Sequence, residues 1–71
     1  MNDIKKKLQE EAALLEHELR TELPREILTA REHGDLSENA EYHAAKERQG
    51  LVNARLNKLK HRLAELSMID S

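Results

Sequence analysis

Ala45, Gln49, Val52, Leu56, Leu59, Leu63 and Leu66 are spaced alternately by four and three residues. This is the a/d seam of a coiled coil, since only an α-helix gathers such positions onto one face. Continued backward, the same register takes in Tyr42 and Glu38. The first half of the chain supplies a second stripe, Ile4, Leu8, Ala12, Leu15, Leu19, Leu23, Ile27 and Ala30. Its steps run 4, 4, 3, 4, 4, 4 and 3. Their mean lies between the heptad and eleven-residue repeats, which predicts a supercoil that locally relaxes. The extra shift falls between Leu19 and Leu23, directly before Pro24. Proline lacks an N–H and its ring clashes with the carbonyl four residues back, so a kink or irregular turn is expected there.

The break between the stripes is short. Gly34 reads as a left-handed residue ending one helix. Asp35 reads as the N-cap of the next, with Glu38 three residues on completing a capping box. The expected fold is all-α: an antiparallel two-helix coiled-coil hairpin with a short acidic tip turn, one domain over residues 1–71. Helix 1 is expected over about 3–33, the tip over 33–37 and helix 2 over about 36–67, with Ser67–Ser71 the end of the helix and start of a linker. Folding the stripes together suggests Leu8 against Leu66, Leu15 against Leu59, Leu19 against Leu56, Leu23 against Val52 and Ala30 against Ala45. Arms of about thirty residues give a rod of roughly 45 Å at about 1.5 Å per residue. Gly50 lies off the seam and should weaken its helix by about 1 kcal/mol relative to alanine.

Composition narrows the function classes. The 71 residues are 37% charged, yet the net charge is only −2 and the leucines recur regularly, so disorder is not indicated. There is no cysteine, hence no disulfide framework or thiolate metal site. No apolar run is long enough to span a membrane and no signal peptide is present. A pI near 6.1 argues against nucleic-acid binding by bulk charge. A soluble, cytoplasmic, helix-rich module is the expectation. Residues 8–26 hold six acids and two bases, whereas 46–62 hold six bases and one acid. Complementary flanks that select antiparallel pairing explain this more simply than a surface tracking nucleic acid.

Glu32, Asp35, Glu38 and Glu41 make the turn acidic. Asp35 and Glu38 have two readings. They can serve only as helix caps, favoured by the positive end of the helix dipole. Alternatively, they can be a pair of hard oxygen ligands for a Mg²⁺ that takes its other ligands from elsewhere. An Asp oxygen engaged in capping is less available to a metal, so the two conflict. His17, His33, His43 and His61 form no metal motif. His33 and His43 could approach across the hairpin, but solvated histidines explain them more simply. Tyr42, the one aromatic, is expected on the seam below the tip. No nucleophile constellation or phosphate loop is present, which argues against a self-contained enzyme.

The run Ala30-Arg31-Glu32-His33-Gly34-Asp35-Leu36-Ser37-Glu38-Asn39-Ala40-Glu41-Tyr42-His43-Ala44-Ala45-Lys46-Glu47-Arg48-Gln49-Gly50 closely resembles the tip and descending arm of the bacterial Gre transcript cleavage factors. It is nearer their GreA than their GreB members. Helix 2 through Met68-Ile69-Asp70 is also similar, and helix 1 more loosely, in its leucines and Pro24-Arg25-Glu26-Ile27. The resemblance implies a hairpin inserted through the secondary channel of RNA polymerase. Two tip acids, matching Asp35 and Glu38, would help hold the second catalytic Mg²⁺, shared with the polymerase, and orient the attacking water. The polymerase would then cut the 3′ end of a backtracked RNA. Asp35 would be a direct ligand, and Glu38 a ligand or water-orienting base. Two departures bear on this. The family's C-terminal globular docking domain has no counterpart here, which implies weaker attachment to polymerase. The stretch from Pro24 to Ala30-Arg31 is shorter than in the best-known members by about three residues, near one helical turn. Other readings are a channel-binding regulator without cleavage activity and a helical oligomerisation module. An isolated hairpin can also bury its leucine seam against a second copy.

Overall fold

The computed structural model describes residues 2–35 and 38–70. Helix α1 spans Asn2–His17 and passes without a break into a π-helical turn, Glu18–Glu22. Helix α2 follows over Leu23–Arg31, and α3 runs back over Ala40–Asp70. The two arms form an antiparallel rod of 52 × 16 × 13 Å.

The π turn sits where the first stripe carries its extra residue. From Leu8 onward the stripe is a regular heptad with one residue inserted between Leu19 and Leu23. In the π turn the Leu23 N–H donates to the Glu18 carbonyl, five residues back instead of four. The wider turn takes up the additional residue without rotating the seam off its partner. Pro24 follows directly on the π turn, so the bond its missing N–H would have made falls in the irregular stretch and not in a regular α-helical ladder. The expected irregularity is therefore a phase correction inside a continuous helix.

The core is this seam. Leu23 and Val52 are 0% and 1% exposed, and Ala30, Ala45, Leu56 and Leu59 are buried with them. Leu8, Ala12, Leu15, Leu19, Ile27, Tyr42, Gln49, Leu63 and Leu66 are half-buried, as expected when two helices cover one another on one side only. Two expected seam positions depart from the pattern. Ile4, near the open end, is 54% exposed. Glu38 precedes the second helix and is exposed.

Cross-hairpin ion pairs report the register. Arg48 makes a two-pronged contact with Glu18 at 2.7 and 2.9 Å, and Arg55 with Glu11 at 2.8 and 3.2 Å. Lys60 reaches Glu16 at 3.7 Å from the other flank. The first two pairs lean toward the tip and the third away from it. Residues at equal height therefore lie midway between these two sets of pairs. Leu8 thus stands level with Leu63, Leu15 with Leu56, Leu19 with Val52 and Ile27 with Ala45. The pairing expected from the stripes alone is one layer out. It would set Glu11 and Arg55 roughly nine residues, about 13 Å, apart along the axis, beyond side-chain reach.

These pairs also account for the charge division between the arms. The Arg48 and Arg55 guanidiniums, hydrogen-bonded to Glu18 and Glu11, hold both carboxyls below the usual carboxylate value of 4.5. The acidic flank of the first arm is thereby matched to the basic flank of α3.

Candidate functional site

The tip is built from the end of α2, a loop and the start of α3. Helix α2 closes by tightening. The His33 and Gly34 N–H groups donate to the Ala30 and Arg31 carbonyls, three residues back, at 3.1 and 3.4 Å. Gly34 then takes a φ of +108°, a conformation that side chains disfavour. The expectation of a left-handed glycine at this position holds, although α2 itself ends at Arg31.

The second helix starts later than the sequence suggests. The expected start at Leu36, with Leu36 and Ser37 in the capping box, lies outside the described residues. Glu38 and Asn39 are non-helical, and α3 begins at Ala40. Its N-cap is Asn39, whose Oδ1 accepts the Tyr42 N–H at 3.0 Å. The Asn39 carbonyl accepts the His43 N–H at 3.1 Å, the first bond of the helix. Asp35 is therefore not the N-cap of this helix, and Glu38 is not its third residue. Asparagine is as good a cap as aspartate, and only asparagine can donate as well as accept. Its Nδ2 uses that capacity, donating to the Ala30 carbonyl across the hairpin.

Asp35 and Glu38 are both exposed. They border one open concavity of about 380 Å³, lined by His33, Asp35, Glu38, Asn39, Ala40 and Glu41. The structure thus brings the two expected site residues to one surface at the end of the rod. A second link crosses this concavity, with His33 Nδ1 2.8 Å from Glu41 Oε2. His43 meets the edge of Tyr42, ring centroids 5.6 Å apart and planes at 72°. All four histidines are exposed. Among the described residues no group of three or more His, Cys, Asp or Glu side chains could hold a metal ion.

Sequence reasoning missed Asn39 and the His33–Glu41 link. Asp35, Ser37 and Asn39 are three competing cap residues in succession, and the Asp35–Glu38 spacing favoured the wrong one. The sequence does hold a signal for Asn39, because Glu41 follows it in the first helical turn, where acids are favoured.

Comparison with known proteins bears on what this tip belongs to. The family profile described as "Transcription elongation factor, N-terminal", for GreA and GreB, matches residues 3–67. Transcription elongation factor GreA of Desulfotalea psychrophila is 54% identical over 65 residues, covering 92% of this chain and 40% of the relative. GreA of Wolinella succinogenes is 50% identical over 64 residues, covering 90% of this chain and 40% of the relative. GreA of Maricaulis maris is 64% identical over a shorter stretch of 44 residues, 62% of this chain and 28% of the relative. The chain spans about two fifths of the length of the curated relatives that it matches over most of its own. No solved structure matches it at a significant level. No helix among the described residues is long and apolar enough to cross a membrane. With the family profile covering nearly all of the hairpin, the chain belongs to the GreA/GreB transcription elongation factors, as a member of their N-terminal domain family.

Proposed function

We propose that this hairpin acts on RNA polymerase in the cytoplasm, inserting tip-first into the secondary channel and stimulating the polymerase's own cleavage of backtracked RNA. The observation that carries the reading is the placement of Asp35 and Glu38. Both are exposed at one concavity, at the end of a rod only 16 × 13 Å in section. The GreA names of its relatives favour the same process.

The donor set fits a shared Mg²⁺. Two carboxylates give hard oxygen ligands but too few for an octahedral ion, so water and the polymerase would complete the shell. Asp35 would ligate directly, and Glu38 would ligate or hold the water that attacks the RNA. Bound there, Mg²⁺ would supply Lewis-acid charge stabilisation at the phosphodiester. The N-cap of α3 is Asn39 and not either of these carboxylates. The chain's own part is to present two carboxylates at the end of a slender arm.

RNA cleavage in stalled, backtracked polymerase complexes tests this. Wild-type chain at high concentration with Mg²⁺ should release short 3′ fragments, and Asp35→Asn with Glu38→Gln should not. Channel occupancy without cleavage by the wild type would favour the regulator. Self-association through the leucine seam, with no effect on polymerase, would favour the oligomerisation module.

A further inference from the structure

We propose that Asn39 is the positioning residue of the tip, tying the end of α2 to the start of α3 through one side-chain amide. It thereby sets how the loop bearing Asp35 and Glu38 is held. The consequence for cleavage rests on the role proposed above for those carboxylates. Asn39 is half-buried, whereas Asp35 and Glu38 on the same loop are exposed. Its Nδ2 donates to the Ala30 carbonyl, and its Oδ1 accepts the Tyr42 N–H at 3.0 Å. The Ala30 carbonyl also accepts the His33 N–H at 3.1 Å. One buried acceptor therefore joins the last turn of α2 to the cap of α3.

The amide orientation follows from its partners. A flipped amide would set oxygen against the Ala30 carbonyl and N–H₂ against the Tyr42 N–H. Few side chains could replace it. Aspartate caps equally well but has no donor for Ala30. Serine caps but is too short to span the arms. Asp35 lies between the end of α2 at Arg31 and this clasp, and Glu38 directly precedes it, so their placement depends on it. A misplacement on the order of 1 Å can cost about 100-fold in rate.

The test uses Asn39→Ser and Asn39→Asp, both of which keep the cap and lose the bond to Ala30. The chain has no cysteine, so Thr29→Cys with Ala44→Cys can carry spin labels on exposed positions near the tip. Pulsed dipolar spectroscopy should give one narrow distance for the wild type and a broadened distribution for both variants. In the cleavage assay Asn39→Ser should lower the maximal rate by at least about tenfold. Its half-saturating protein concentration and helicity should stay unchanged, a split that general loss of structure would not produce. Unchanged distance distributions in both variants would overturn the clasp. A broadened distribution with an undiminished maximal rate would overturn its role in aiming the carboxylates. If the wild type does not stimulate cleavage while the variants broaden, the cleavage reading fails and the tie between the arms stands.

Discussion

Deleting Thr21 would test whether the π turn is a phase correction. Thr21 is exposed within Glu18–Glu22. Its removal leaves the first stripe, from Leu8 on, in unbroken four–three alternation, so α1 and α2 could merge into one α-helix. The former Pro24 would then lie in a regular α-helical ladder instead of directly after a π turn. A proline there costs about 3 kcal/mol, from the lost hydrogen bond and the clash with the carbonyl four residues back. A domain of this size is stable by roughly 4–10 kcal/mol, so the loss is a third or more of the total. At about 4–8 °C per kcal/mol, Tm should fall by roughly 12–24 °C. Adding Pro24→Ala to the deletion should restore Tm to at least the native value. Pro24→Ala alone should change stability by less than about 1 kcal/mol, because the π turn beside it already interrupts the regular ladder. Circular dichroism melts of the four chains decide it. A Thr21 deletion that melts like the native chain would show that the π turn does not accommodate Pro24. A deletion with Pro24→Ala that still melts far below native would show that the extra residue is not a simple insertion.

Two glycine-to-alanine changes should have opposite signs. Gly50→Ala meets nothing within 4 Å in mid-helix and should stabilise by about 0.5–1 kcal/mol, whereas Gly34→Ala, at a φ of +108°, should destabilise by about 1–2 kcal/mol; urea titrations compare them. Asp35→Asn with Glu38→Gln should leave the hairpin folded, with the cap of α3 at Asn39 intact, while abolishing stimulated cleavage; circular dichroism beside the cleavage assay separates the two. Glu11 and Glu18 have carboxyls held below 4.5 in the folded chain by Arg55 and Arg48, so the unfolded chain binds more protons in that range. Their contribution is fully present above about pH 4.5 and is lost as pH falls through the lower folded values. The urea midpoint should therefore drop on acidification, and less steeply in a Glu11→Gln, Glu18→Gln variant.

Several site features are local and were legible in the residues. Gly34 marks the left-handed position because φ > 0 excludes most side chains. The acidic tip follows from Asp35 and Glu38 lying between two helical stripes. The run from Ala30 to Gly50 identifies the family without any coordinates. The start of α3 was misread because Asp35, Ser37 and Asn39 are all good caps by residue type. What selects Asn39 is the Ala30 carbonyl, nine residues earlier in the chain and on the other arm.

By itself, the sequence determined that two helices fold back on a glycine turn along one leucine seam. Hydrophobic periodicity and backbone sterics act within a few residues and need no tertiary context. It also located the irregularity before Pro24, since the extra residue is visible in the spacing. The tertiary structure decided how that residue is absorbed, as a π turn, because only packing against α3 requires the seam to stay in phase. It also decided the register, reported by Glu11–Arg55, Glu18–Arg48 and Glu16–Lys60, and the true cap at Asn39. The spacing of each stripe does not by itself say which layers face one another, and contacts between the arms show it.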